Sequence, residues 1–196
     1  MSVPMTQRLT EIANDGAFRA GRGLSGLIGE EILIRIPEVR LGTRLDVCAA
    51  VGGDDALVLG AYLGVSGDVS GHVMLLFPEA RALECVDLMC GQPPGTTTEA
   101  DDFAQSAIAE LGNIVGSAFV NALADATNLS LHPSPPVVVR DLAMALVESV
   151  YAEVMAQDGP VVIIDTVFED TRGETAGLLI LAPDPPALAR LEELAA

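Results

Sequence analysis

A carboxylate and a carboxamide, Glu110 and Asn113, stand three residues apart in a segment whose apolar residues Ile108, Leu111, Val115 and Phe119 recur at helical spacing. At about 3.6 residues per turn, Ser106, Glu110, Asn113 and Ser117 fall on one face, at steps of four, three and four. A carboxamide both donates and accepts hydrogen bonds, so Asn113 has the chemistry to hold a water in a fixed orientation. A near-copy, Glu11-x-x-Asn14, lies ninety-nine residues earlier, and each asparagine is followed, after twenty-two intervening residues, by a proline, Pro37 or Pro136. An isolated Glu-x-x-Asn pair on an amphipathic helix usually just faces water. Two copies with the same proline spacing argue against accident, although duplication alone would repeat the pair without a function.

The elements that must carry these residues also come twice. Apolar spacing predicts a helix over Thr6–Ile28 closed by Gly29, then a strand over Glu31–Pro37 and a short helix over Leu45–Val51. A hairpin follows, Ala56–Leu63 and Gly71–Phe77 around a turn at Ser66-Gly67-Asp68, and then a helix from Pro78 to Met89. Residues 92–98, rich in Pro, Gly and Thr, read as a linker. The order then recurs: a helix over about 99–126, a short strand Leu129–His132, a break at Pro133 to Pro136, and valines 137–139. A helix from Asp141 to Met155, a hairpin of Pro160–Phe168 with Ala176–Leu181, and a last helix Ala187–Leu194 complete it. The expected fold is α/β in the α+β sense, internally duplicated and pseudo-twofold. A central antiparallel-rich sheet would carry two long helices. One domain, 1–196, would comprise repeats of about 6–91 and 99–196; local pattern does not settle the strand order.

Twenty-eight acidic residues face ten arginines and no lysine, a net charge of −18. Such a field repels phosphate backbones and speaks against nucleic-acid binding. The missing lysine excludes a P-loop lysine, a Schiff base and a basic membrane patch. No unbroken apolar run reaches the ~18 residues of a membrane span, and the first residues show no signal core, so a cytoplasmic protein without membrane insertion is expected. Cys48, Cys85 and Cys90 lack metal-ligand spacing and read as reduced, partly buried thiols. Gly21-Arg-Gly23-Leu-Ser-Gly26 matches G-x-G-x-x-G but ends a helix instead of opening one, which speaks against a dinucleotide site. His72 and His132 have no nucleophile at a recognisable spacing and read as structural.

The second copy resembles the CheC/CheX/FliY group of chemotaxis phosphatases. Their pattern is Asp or Ser, three residues, Glu, two residues, Asn, twenty-two residues, Pro, and Ser106, Glu110, Asn113 and Pro136 fill every position. The first copy supplies Glu11, Asn14 and Pro37 but has Gln7 at the first position. The resemblance covers nearly the whole chain and is to the two-copy members. It implies hydrolysis of the aspartyl phosphate on the response regulator CheY, with Asn113 orienting the water and Glu110 pairing with the regulator's lysine. Glu11 and Asn14 would form a second site, with Ser106, Pro136 and Pro37 in support. It implies no cofactor of the chain's own, since Mg2+ would sit on the phosphorylated CheY, and it admits the receptor deamidase CheD as a further partner. The alternative it carries is a non-enzymatic scaffold or adaptor, like the flagellar switch middle domains. The copies also differ: Asp15 replaces Ile114 at what reads as an apolar-facing position, and Phe18 takes the stripe position of Ser117.

Overall fold

The computed structural model describes residues 4–154 and 160–193. Its first element, α1 (Met5–Ile28), buries Leu9, Ala13, Ala17, Ala20 and Leu24 and stops at Gly29, whose left-handed φ of 82° lets its N–H reach the Ser25 carbonyl. The expected strand over 31–37 is shorter, β1 (Leu33–Arg35), and a second strand that the sequence did not reveal, β2 (Val39–Gly42), continues after Pro37. Proline lacks the N–H a ladder needs, so Pro37 divides one edge strand into two pieces. The short α2 (Arg44–Ala50) is held by a capping box in which Thr43 and Asp46 exchange hydrogen bonds.

The hairpin is β3 (Leu57–Gly67) and β4 (Gly71–Pro78), followed by α3 (Glu79–Met89). Its turn lies later than expected, because β3 runs on to Gly67 to pair with Ser130–Pro133. Gly67 has φ 134°, and an added Cβ would stand 2.0 Å from the Ser130 carbonyl, so only glycine fits. Residues 92–98 are fastened: the buried carboxylate of Asp87 accepts from the N–H groups of Thr96 (3.0 Å) and Thr97 (2.8 Å).

In the second half α4 (Asp102–Thr127) starts at Asp101, whose side chain accepts from the Ala104 N–H. β5 (Leu131–Pro133) and β6 (Val137–Leu142) again form one strand broken at prolines, and β6 runs three residues beyond the expected valines. Its long partner β3 pairs it as far as Leu57↔Leu142, so α5 (Ala143–Val154) begins two residues later than Asp141. The expected end of that helix at Met155 lies outside the described residues. β7 (Val161–Glu169) and β8 (Glu174–Pro183) make the second hairpin. Last comes α6 (Pro185–Glu193), started early because Asp184 caps the Ala187 N–H; Leu194, its expected end, is outside the described residues.

All pairs in the eight-stranded sheet are antiparallel. The order is β1/β2–β7–β8–β4–β3–β5/β6, which reads the same from either edge. Each half therefore gives its proline-broken strand to the other half's hairpin. Successive residues of β4 point to opposite faces: Val73, Leu75 and Phe77 join α1, α3 and α4, while Met74 and Leu76 join α2 and α5. The second, smaller layer, built on α2 and α5, was not foreseen, since only the two long helices were expected to pack on the sheet. On the main face α1 and α4 run antiparallel, because Gly16 faces Phe119 while Gly23 faces Ile114.

Candidate functional site

Helix α4 is long and apolar enough on average to span a membrane, yet its buried residues, among them Ile108, Leu111, Val115 and Phe119, are spent on the core. Ser106, Glu110 and Asn113 are left on the opposite, exposed side, with Ser117 half-buried beside them. The residue between the pair, Gly112, faces the sheet. An added Cβ there would lie 2.2 Å from Cβ of Ala61 on β3 and 3.9 Å from Cβ of Pro136. A glycine inside an apolar helix costs about 1 kcal/mol against alanine and signals close packing. Here it lets α4 press onto β3 with Pro136 alongside. The break that carries Pro136 is stapled to β3 twice: Ser134 N–H donates to the Gly64 carbonyl (2.7 Å), and Gly64 N–H donates to Ser134 Oγ (3.0 Å).

The two copies differ most in what their side chains already hold. Among the described residues, neither Glu110 nor Asn113 has an ion pair or hydrogen bond from its side chain. The Ser106 hydroxyl, by contrast, donates back to the Asp102 carbonyl (2.8 Å). In the first copy Glu11 lies 3.6 Å from Arg8, and the Asn14 amide donates to the Thr10 carbonyl at 2.8 Å. Asp15 does not strain an apolar contact as the sequence suggested; it is exposed and paired with Arg19 at 2.7 Å. Phe18 stands 65% exposed at the stripe position matching Ser117. Pro37 is exposed at its break, where Asp165 N–H donates to the Glu38 carbonyl (3.0 Å).

The structure does not bring the two pairs together. The antiparallel crossing puts Glu11 beside Ala122 and Asp125, at the edge of a cleft of about 330 Å3. About twelve residues of α4 separate that level from Glu110 and Asn113, or roughly 18 Å at 1.5 Å per residue. Neither Glu110 nor Asn113 lines that cleft. An open ridge carrying an unpaired acid and amide suits another macromolecule's surface, whereas small molecules are held in concave, mostly enclosed sites.

The remaining sequence candidates have local roles. The Tyr62 hydroxyl is hydrogen-bonded to His72 Nδ1, and His132 Nε2 lies 3.2 Å from Ser130 Oγ. Cys48 and Cys85 are buried, and burial pushes the Cys85 thiol well above its usual range; Cys90 is exposed, contrary to expectation.

Residues 103–140 match the model of the CheC-like family, a span that opens on α4 before Ser106 and closes after Pro136. Over 187 residues the chain is 27% identical to the CheY-P phosphatase CheC of Bacillus subtilis (strain 168), covering 93% of this chain and 90% of that protein. The crystal structure of FliY from Thermotoga maritima superimposes with a TM-score of 0.80 at 18% identity, covering 99% of this chain and 96% of the other. A CheX from Borrelia burgdorferi, solved in complex with CheY, BeF3 and Mg2+, gives a TM-score of 0.54 at 17% identity, covering 89% and 96%. The two structures share this chain's fold. The chain is thus similar to CheC-like proteins, most directly over the span that carries Ser106, Glu110, Asn113 and Pro136.

Proposed function

We propose that this chain accelerates loss of phosphate from the aspartyl phosphate of a CheY-type response regulator, working chiefly through Glu110 and Asn113. The observation that carries the reading is their arrangement: one turn apart on an exposed face of α4, with neither side chain engaged among the described residues. The name of the Bacillus subtilis relative and the CheX–CheY complex support the substrate class. In this mechanism Asn113 accepts one hydrogen bond from a water and holds its oxygen in line with the phosphorus. Attack forms the new P–O bond, the acyl phosphate P–O bond breaks, inorganic phosphate leaves, and the aspartate carboxylate is restored on the regulator. Glu110 is repelled by the phosphoryl group and pairs instead with the regulator's lysine, which fixes the angle of approach. The metal ion needed to neutralise the phosphate belongs to the regulator. Catalysis is then positioning, with no covalent intermediate on this chain.

Glu11 and Asn14 are the lesser pair, since Asn14 must give up its bond to Thr10 before it can orient water. The test is decay of phosphorylated CheY with wild-type chain, Asn113→Ala and Asn14→Ala. Asn113→Ala loses on the order of tenfold to a hundredfold of the acceleration, as for a misplaced reacting group, and Asn14→Ala loses much less. No acceleration by the wild-type chain, or full activity in the double variant, overturns the proposal and favours the scaffold reading.

A further inference from the structure

Of the ten arginines in this lysine-free chain, nine are ion-paired among the described residues. The exception is Arg22, exposed on α1 and without a carboxylate partner among the described residues. In a chain with twenty-eight carboxylates an unpaired guanidinium is unusual, and its position is specific. The next residue, Gly23, packs on Ile114, the neighbour of Asn113, with only 3.1 Å between an added Cβ and Ile114 Cγ2. Arg22 is therefore one residue along α1 from the point where that helix meets the Glu110–Asn113 segment of α4. Its guanidinium carbon lies 6.0 Å from the ring centre of Phe18, a shelf that holds a cation by its π face without neutralising it. Phe18 thus has a use in the neighbourhood of the second copy, although it sits in the stripe of the first.

We infer that Arg22, carried on Phe18, is the anion-binding arm of the docking surface around Glu110 and Asn113, and that it receives a carboxylate or phosphoryl oxygen of the phosphorylated regulator. The inference rests on the proposed function. The occupant is fixed by charge. A site holding an aspartyl phosphate and metal-binding carboxylates is strongly anionic, and this chain, at −18, repels it. Glu110 adds to that repulsion everywhere except at the regulator's lysine. Approach needs a cation on the same ridge, and among the described residues Arg22 is the one that is not already paired.

A contact of this kind acts on encounter and binding more than on the chemical step. With the full chain and phosphorylated CheY at low salt, Arg22→Gln is expected to raise KM about three- to fivefold with kcat within about twofold. Arg22→Glu raises KM more than about tenfold, and Arg22→Lys stays near wild type. The differences collapse to less than about twofold near 0.5 M salt, where screening acts over only a few ångströms. Binding of CheY loaded with BeF3 and Mg2+ to an Asn113→Ala chain shows the same loss on Arg22→Gln, which separates docking from hydrolysis. The inference is overturned if Arg22→Gln leaves KM and binding unchanged while the wild-type chain is active, or if it lowers kcat alone. If the wild-type chain neither binds nor accelerates, the proposed function falls and this inference with it. If it binds without accelerating, the Arg22 dependence of that binding still decides the inference.

Discussion

Replacing Gly112 by alanine tests whether the close seat of α4 on β3 sets the site. The new methyl carbon would stand 2.2 Å from Cβ of Ala61, where carbon atoms in contact sit at about 3.5–4.0 Å. Neither group can rotate away, so the helix has to lift by about 1.5 Å, the shortfall in that contact. Overpacking of this kind costs about 1–3 kcal/mol, and alanine's better helix propensity returns about 1 kcal/mol. The expected net loss is about 0–2 kcal/mol, or up to roughly 8 °C in Tm for a chain of this size. Activity should fall further, because Glu110 and Asn113 flank the lifted residue and a misplacement of about 1 Å can cost on the order of a hundredfold. Ala61→Gly removes the opposing methyl, so the double variant should recover both stability and phosphate release, with a coupling of about 1 kcal/mol or more. Thermal unfolding and CheY dephosphorylation of the four proteins complete the cycle. Equal stability and activity in Gly112→Ala would refute the argument that contact with β3 positions the pair.

Two further predictions concern what holds the frame. Asp87→Ala deletes a buried carboxylate that accepts from two backbone N–H groups, and should cost about 2–4 kcal/mol in urea unfolding, with new proteolytic cleavage within 92–98; a change under about 0.5 kcal/mol would show that the segment holds itself. For Asp46, the hydrogen bond from the Thr43 N–H and then that from its hydroxyl hold the carboxyl below its ordinary value. A lowered folded pKa gives stability that is present above the unfolded value of about 3.9 and is lost as pH falls through the folded value. Asp46→Asn should therefore be less stable than wild type at pH 7, with the gap closing in acid; a gap that is constant with pH would sink this account.

How much of this was legible follows from the range over which each signal acts. The long helices were plain because their apolar stripes repeat locally, from Leu9 to Leu24 and from Ile108 to Phe119. Prolines 37 and 136 were visible too, though their effect was misjudged: each breaks a strand that then resumes, because the partners β7 and β3 are long enough to pair on both sides. Strand order was out of reach, since nothing in Leu33–Arg35 names residues 167–169 as partners. The Glu-Asn stripes were legible as exposed faces. Whether each side chain was free or engaged was not, because that depends on rotamers and on Arg8 or Thr10 nearby. Arg22 gave no signal at all; its lack of a carboxylate among the described residues emerges only when the other nine are seen to have one.

The exchange of edge strands explains how a repeated motif ends in unequal surroundings. A symmetric fold places the two pairs at opposite ends of an antiparallel helix pair, so each helix meets a different mixture of sheet and neighbour. At the second copy, Gly112 gives the sheet close access and Pro136 stands against the same turn. At the matching point of the first copy stands Ala13, a side chain already spent on the core, and α1 makes its close approaches elsewhere, at Gly16 against Phe119 and at Gly21 against the Ile32 carbonyl. The outer face of α1 has also changed chemistry, to an Asp15–Arg19 pair and an exposed Phe18 beneath Arg22. If one copy orients water while the other helix supplies the cation beside it, the first stripe no longer needs Asn14 free. Restoring serine at Phe18 therefore should not create a second strong site; it should weaken docking at the first-ranked one, because Arg22 loses its shelf. A Phe18→Ser chain with raised kcat and unchanged KM would show instead that the two stripes are independent sites and that the asymmetry is only drift.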